Sequence, residues 1–230
     1  KMDTINKVKS ISIWIFIVPF LAINTCLILI TNFHELFPNK EHIIHNTIPY
    51  IDGGASISRT ARVFPTYLIF KPAMFLTAYL LIRYWLYIKK IILNIHGDHK
   101  NLGKIIIFGI SSAICLIIHS IFLGIKFDYD LYKLFRRVIM LVFIIFEVVA
   151  QAYLVITLYS IKNKLLSFIN LKFLKLKAIL VSVLVIVMIV SIPIVSMPGN
   201  KHVKHALEWD FFLGVILFYV LTFFMWKKQS

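Results

Sequence analysis

Long blocks of apolar residues alternate with short polar connections along the whole chain. A run of about 18 or more mostly apolar residues predicts a membrane-spanning helix, because ~20 residues at ~1.5 Å of rise each cross a ~30 Å hydrocarbon core. Six runs have this pattern, at about 11–31, 66–88, 104–125, 138–160, 178–197 and 208–226. The sequence therefore predicts an all-α, polytopic integral membrane protein, with six transmembrane helices in one domain over residues 1–230.

The composition agrees with this prediction. Hydrophobic residues make up 60% of the chain and the mean hydropathy is +0.87, whereas a soluble domain is usually about 45–50% apolar. We expect an integral membrane location, either a bacterial inner membrane or a eukaryotic endomembrane or plasma membrane.

The distribution of charge predicts the orientation. The N-terminal segment, the connections 89–103 and 161–177 and the C-terminal Lys227-Lys228 hold most of the Lys and Arg residues. Excess Lys and Arg belongs on the cytoplasmic face, so both termini are predicted to be cytoplasmic. The net charge of +15 is thus mainly a topology signal, and we expect no nucleic-acid partner.

The stretch SIKNKLLSFINLKFLKLK, residues 160–177, contains five lysines and no acidic residue. Anionic lipid headgroups at the cytoplasmic face are a suitable counter-charge for such a segment. The alternative is that these lysines only set the orientation of the chain in the membrane.

Three ionisable residues lie inside the predicted spans, namely Lys71, His119 and Glu147. A charge near a helix centre costs roughly 2.5–3.5 kcal/mol, so such groups usually face a bundle interior or a wet cavity. Gln151 follows Glu147 by one helical turn and shares its face. Because all four lie in the outer half or near the middle of their spans, the sequence predicts a polar pocket open to the outer leaflet. A structural tie, such as a Lys71–Glu147 ion pair, remains open.

The connection 32–65 is too long for a passive turn and contains the stretch IPYIDGGASISRTARVFP, residues 48–65. Its two arginines, Arg59 and Arg62, stand beside hydroxyl side chains, which suits a phosphate or carboxylate headgroup. Glu208 and Asp210, at the start of the last span, are expected at the same rim. Nonspecific contact of the arginines with lipid phosphates is the alternative.

Two stretches resemble a known family. PYIDGGAS, followed by Arg59, Arg62 and Phe64, resembles the first luminal loop of the FRAG/DRAM/SFK superfamily of six-span membrane proteins, and HALEWDFFLGVILFYVLTFFMW, residues 205–226, resembles its closing span. Asp52 stands where the family usually has serine. The family includes the damage-regulated autophagy modulators and the post-attachment factor of GPI-anchor lipid remodelling. The resemblance implies a lipid-associated membrane protein and transfers no catalytic residue.

The expected function is therefore to bind and handle a lipid or lipid-linked molecule, by remodelling, organisation or transfer. The predicted ligand-binding residues are Lys71, His119, Glu147, Gln151, Arg59, Arg62, Glu208 and Asp210. The expected partner is membrane lipid. The sequence leaves open a homo-oligomer or a subunit of a larger membrane complex.

Two other functions stay open. A midplane carboxylate such as Glu147 also marks ion and proton pathways, so a small ion- or proton-coupled transporter or channel is one alternative. His202 and His205 would share a helix face, which makes them weak metal candidates for a histidine- or metal-dependent membrane lipid hydrolase. Since no H-E-x-x-H spacing occurs, the sequence favours a protein without a metal or cofactor, and enzyme activity is not the expectation.

Overall fold

Six long helices make up most of the protein in the computed structural model, which describes residues 2–125, 130–197 and 199–227. They are α1 (Met2–Asn32), α4 (Tyr67–His96), α5 (Leu102–Phe122), α6 (Asp130–Ser160), α8 (Leu171–Ser196) and α9 (Lys201–Met225). Three short helices, α2 (Pro49–Asp52), α3 (Ile57–Ala61) and α7 (Lys162–Leu165), lie in the connections, with 3₁₀ turns at His34–Leu36 and Lys40–His42. The prediction of an all-α protein is confirmed.

Five helices are long and apolar enough to cross a membrane: Asp3–Asn32, Leu102–Phe122, Asp130–Ser160, Leu171–Ile194 and Lys201–Met225. The predicted run 66–88 lies in α4, which has 30 residues and exceeds the length that a span needs. Lys71 and Arg83 lower the hydropathy of α4, and this helix is not among the five. Several long apolar helices are what a multi-pass membrane protein requires.

The six long helices form a closed ring. Going round it, α4 packs on α1, α1 on α9, α9 on α8, α8 on α6, α6 on α5, and α5 on α4. The end that carries residues 33–66 is called the loop end, and the opposite end, where α1 begins and α9 ends, is called the terminal end. The peptide bond before Pro65 is cis. Because the six long helices form a closed ring, each of them has two neighbours against which it buries an apolar face.

The helices extend further than the apolar runs, because polar residues at both ends continue the helical backbone. Residues 201–207, predicted as part of a loop, are the first turns of α9. Residues 171–177, predicted as a polar connection, are the first turns of α8. Lys228 and the last two residues lie outside the described residues, as does residue 1. Apolar periodicity alone therefore places the helix centres better than their ends.

α8 exposes large aliphatic side chains along much of its length. Six of them are between 49% and 61% exposed, namely Ile179, Val183, Ile186, Ile189, Val190 and Ile192. Soluble monomers rarely leave so continuous an apolar surface in water. The exposed apolar surface of α8 is suited to contact with lipid hydrocarbon chains.

Aromatic side chains fill the centre of the ring. Tyr84 and Trp85 on α4 are fully buried, and so are Phe218 and Tyr219 on α9. Gly109 on α5 lets the Trp85 ring approach its backbone closely, since a Cβ atom added at Gly109 would lie 2.5 Å from that ring. The packing of α4 against α5 thus depends on the missing side chain.

We expect Gly109→Ala to lower the free energy of unfolding by about 1–3 kcal/mol, because the fully buried Trp85 ring has to shift. Gly103→Ala, on the same helix, is the matched control because a Cβ atom there meets nothing within 4 Å. Thermal unfolding of the detergent-purified protein, followed by circular dichroism, measures both. Equal melting temperatures for the two variants would contradict this account of the α4–α5 contact.

Candidate functional site

Glu147 lies in the core of the ring and accepts hydrogen bonds from three helices. Its side chain is on α6, and the residue is 1% exposed. Ser112 Oγ on α5 donates to Oε2 at 2.6 Å, and Gln151 Nε2 on α6 donates to Oε1 at 3.2 Å. The Tyr219 hydroxyl on α9 donates to the same Oε1. These donors satisfy a carboxylate whose desolvation would otherwise be costly.

Gln151 extends this group to the backbone of α9. Its Nε2 also donates to the Val215 carbonyl at 3.2 Å, and the residue is 0% exposed. The shared face of Glu147 and Gln151 therefore points into the protein, where it joins α6 to α9. Breaking one partner of such a buried group is costly because the remaining polar atoms keep their desolvation penalty.

Lys177 is a second charged side chain in the core. It is 0% exposed, its Nζ donates to Thr222 Oγ1 on α9 at 2.8 Å, and the same Nζ lies 3.8 Å from the centre of the Phe218 ring. Of the five lysines in residues 160–177, this one is turned away from the surface. The prediction that the whole segment faces lipid headgroups is therefore wrong for Lys177.

Lys71 is not joined to Glu147. Its Nζ donates to the carbonyl of Ile121 at 3.3 Å and lies over the Tyr67 ring. Ile121 is in the last turn of α5, where carbonyl groups lack helical partners. Lys71 therefore caps the loop end of α5.

His119 is buried at the loop end of α5, with 8% of its surface exposed, and its Nδ1 has no hydrogen-bond partner. Arg136 on α6 lies near enough to act on it electrostatically. Ser112 and His119 are seven residues apart on one face of α5, ~10 Å along the helix axis. His119 is thus separate from the group around Glu147, and the predicted pocket residues fall into two groups.

Arg59, Arg62 and Arg136 gather at the loop end and are called the arginine cluster. Arg62 is exposed, and partial desolvation followed by the charges of Arg136 and Arg59 lowers its pKa. Arg136 Nε is buried without a hydrogen-bond partner. Within the described part of the chain, no Asp or Glu forms an ion pair with these arginines. Among the residues that the structure describes, these three like charges therefore repel one another without an acidic partner.

The loop stretch 49–55 is docked on the first turns of α9. His202 Nδ1 is 3.1 Å from the Asp52 carbonyl oxygen, and His205 Nδ1 is 2.9 Å from the Gly53 carbonyl oxygen. Trp209, fully buried, donates from Nε1 to the Ala55 carbonyl at 2.9 Å. The stretch 49–55 and the start of α9, far apart in sequence, are thus in direct contact.

Aromatic packing and a carboxylate complete this contact. The Tyr50 ring meets the Trp209 ring edge-on, with centroids 4.9 Å apart. The Glu208 carboxylate lies close to the backbone N–H groups of Ile57 and Ser58, in the first turn of α3. Asp210 is exposed and lies near Tyr50. Glu208 therefore holds the loop that carries the arginines, whereas Asp210 faces solvent.

A cavity of about 470 Å³ opens at the loop end. Its lining residues are Thr31, Asn32, Asn46, Thr47, Ile48, Ile51 and Asp52. None of the predicted ligand-binding residues is among them. In the described ranges, no group of three or more His, Cys, Asp or Glu side chains is arranged to hold a metal ion.

Sequence reasoning missed the hydroxyl side chains that surround the two core charges. Ser112, Tyr219 and Thr222 are common residues in spanning helices, and nothing in their spacing relates α5 to α9. Lys177 was placed in a connection because it closes a lysine-rich run. Arg136 had a detectable signal, since it is basic and stands near the start of a span on the side of Arg59 and Arg62.

Comparisons with known proteins add nothing to this picture, since no family model, no curated protein and no solved structure matches the chain significantly.

Gly53 tests whether the loop depends on its contact with α9. Its φ is +60°, and a Cβ atom there would lie 1.8 Å from the His202 carbonyl oxygen. We expect Gly53→Ala to undock the stretch 49–55 and to raise its cleavage in limited proteolysis. Gly97→Ala is the control for backbone strain alone, because Gly97 also has a positive φ but no neighbour within 4 Å. Unchanged cleavage in Gly53→Ala would disprove the close contact.

Asp52 makes the docked loop sensitive to acid. Hydrogen bonds from the Thr47 hydroxyl first, then from the N–H groups of Gly54 and Ile48, lower the pKa of Asp52 below its ordinary value of 3.8. The Asp52 carboxylate therefore contributes fully to loop stability at a pH above 3.8. This contribution disappears as the pH falls through the lower pKa that Asp52 has in the folded state.

We expect a change in Trp209 fluorescence in that acid range, because Trp209 bonds the Ala55 carbonyl of the same loop. The Trp209→Phe protein supplies the background spectrum. Asp52→Asn lacks the ionisable carboxyl group and should lose the transition. A transition of the same midpoint in Asp52→Asn would show that another group causes it.

Proposed function

We propose that the protein binds an anionic lipid or lipid-linked headgroup at the arginine cluster, as a step in lipid remodelling, organisation or transfer. The observation that carries this proposal is the convergence of Arg59, Arg62 and Arg136 without an acidic partner in the described part of the chain. A phosphate or carboxylate group would neutralise their repulsion and form charge-assisted hydrogen bonds with the guanidinium groups.

Two buried nitrogen atoms, one in the cluster and one beside it, support the same ligand. Arg136 Nε and His119 Nδ1 are buried without hydrogen-bond partners. An unsatisfied buried polar atom costs about 1–3 kcal/mol, and an anionic oxygen at the cluster would offer both nitrogens an acceptor. Glu147 and Gln151 are excluded from this headgroup site by their own buried hydrogen bonds, so the proposed site is smaller than the sequence suggested.

The proposed membrane arrangement has six spans, with α4 as the sixth and both termini in the cytoplasm. Arg83 supports the inclusion of α4, because its guanidinium group bonds the hydroxyls of Tyr79 and Tyr87 on the same helix. Long cationic side chains near a helix end reach the interface in this way. With six spans, the loop end and the arginine cluster would face the outer leaflet.

We also propose membership of the FRAG/DRAM/SFK superfamily. The direct contact between the stretch PYIDGGAS and the start of α9 supports it, since these are the two stretches that carry the resemblance. The hydrogen bond from Trp209 to Ala55 and the ring contact of Trp209 with Tyr50 join one motif to the other.

The test is native mass spectrometry of the detergent-released protein with added phosphatidic acid or phosphatidylcholine. We expect wild-type protein to retain phosphatidic acid in preference. The double variant Arg62→Gln, Arg136→Gln should bind it at least about tenfold more weakly, because two charge-assisted bonds of about 1.5–3 kcal/mol each are lost.

Arg83→Gln is the control for the loss of positive charge, because it removes one charge at a site remote from the cluster and should leave binding unchanged. Equal binding by all three proteins, or no preference for the anionic lipid, would refute the proposed headgroup site.

A further inference from the structure

Two ionisable side chains, one acidic and one basic, are buried in the ring without touching each other. Glu147 and Lys177 are 1% and 0% exposed, and no ion pair joins them in the described ranges. Each bonds instead to a hydroxyl on α9, since Glu147 accepts from Tyr219 and Lys177 donates to Thr222. Tyr219 and Thr222 are three residues apart, so they share a face of α9 and lie ~4.5 Å apart along its axis.

Tyr84 on α4 packs against Tyr219 and lies close to Thr222. Its ring meets the Tyr219 ring edge-on, with centroids 5.0 Å apart, and its hydroxyl lies beside Thr222. That hydroxyl is buried and makes no hydrogen bond of standard geometry. A hydroxyl can act as donor and acceptor at once. For the path to form, both hydroxyls have to reorient, because Thr222 Oγ1 donates to the Phe218 carbonyl at 2.9 Å and the Tyr84 hydroxyl is bonded to neither neighbour.

We propose that Tyr219, Tyr84 and Thr222 form a proton path between Glu147 and Lys177. The Lys177 ammonium group gives one proton to the Thr222 oxygen, and Thr222 passes its own proton to Tyr84. Tyr84 and Tyr219 do the same in turn, and the Glu147 carboxylate receives the last proton. The ammonium–carboxylate pair becomes an amine and a carboxylic acid, each hydroxyl is restored, and the total charge of the core does not change.

The path leads from the middle of the ring towards the terminal end. Glu147 is 13 residues from the end of α6 at Ser160, ~20 Å by helical rise, whereas Lys177 is six residues from the start of α8 at Leu171, ~9 Å. Towards the loop end, buried Ala113 and Leu116 occupy α5 between Ser112 and His119. These polar side chains therefore continue from Glu147 towards Lys177, which is itself fully buried, and not along α5 towards His119.

The buried titratable side chains of α4 and α9 at this path are its own members, Tyr84 and Tyr219. On α1, Lys9 lies with its Nζ 4.9 Å from the ring centre of Phe223, the residue that follows Thr222. The polar groups from α5 and α6 beside Glu147 are Ser112 and Gln151. The proton path does not rest on anion binding at the arginine cluster, and either could exist without the other.

The test is infrared spectroscopy of the carboxylic acid C=O band of Glu147 after transfer of the protein into D2O. The band is assigned by its loss in Glu147→Gln, and its isotope shift reports exchange of the proton. We expect exchange to be slower by about tenfold or more in Tyr84→Phe. Removing one hydroxyl raises the barrier to proton transfer by at least the free energy of one hydrogen bond. Thr222→Val should slow exchange similarly.

Tyr153→Phe, which removes a partly buried tyrosine hydroxyl of α6 outside the path, is the matched control. It should exchange at the wild-type rate. Melting temperatures show that the variants compared are folded. Two results would overturn the proposal: an exchange rate in Tyr84→Phe and Thr222→Val equal to that of Tyr153→Phe, or the absence of a Glu147 acid band at every pH at which the protein stays folded.

Discussion

The arrangement of the ring depends on the hydrogen bonds that the Glu147 carboxylate accepts. In a nonpolar interior a lone charge is far too costly to keep, so the side chains around it have to supply hydrogen bonds. Ser112, Gln151 and Tyr219 do so from α5, α6 and α9. Because hydrogen bonds are directional, they fix how these helices are rotated and shifted relative to one another, which apolar packing alone specifies weakly.

The ionisable side chains lie in two regions along the helix axes, and the chemistry of the two regions differs. In the core, Glu147 and Lys177 are enclosed by hydroxyl and aromatic groups of α4 and α9. At the loop end, the arginines have no acidic partner in the described residues and stand next to solvent. The first region suits holding helices together and moving protons, and the second suits holding an anion. A single pocket that combines both is not what the packing allows.

The sequence predicted the helix centres, the common face of Glu147 and Gln151, and the proximity of Arg59 to Arg62, because each depends on local spacing. It could not predict that Lys71 caps α5 or that Lys177 faces inward, since both depend on how neighbouring helices are rotated. A lysine at the end of an apolar run is normally at the surface. The contact of Trp209 with Ala55 joins residues far apart in the chain, and no local pattern indicates it.

A double-mutant cycle on Ser112→Ala and Tyr219→Phe tests most directly whether Glu147 joins these helices. Each single variant removes one hydroxyl donor to the carboxylate and leaves the rest of the side chain in place. The free energies of unfolding should be non-additive by about 0.5–3 kcal/mol, because both donors act on one charge. Additive effects of the two substitutions would mean that the carboxylate does not couple α5 to α9, and the account of the core would be wrong.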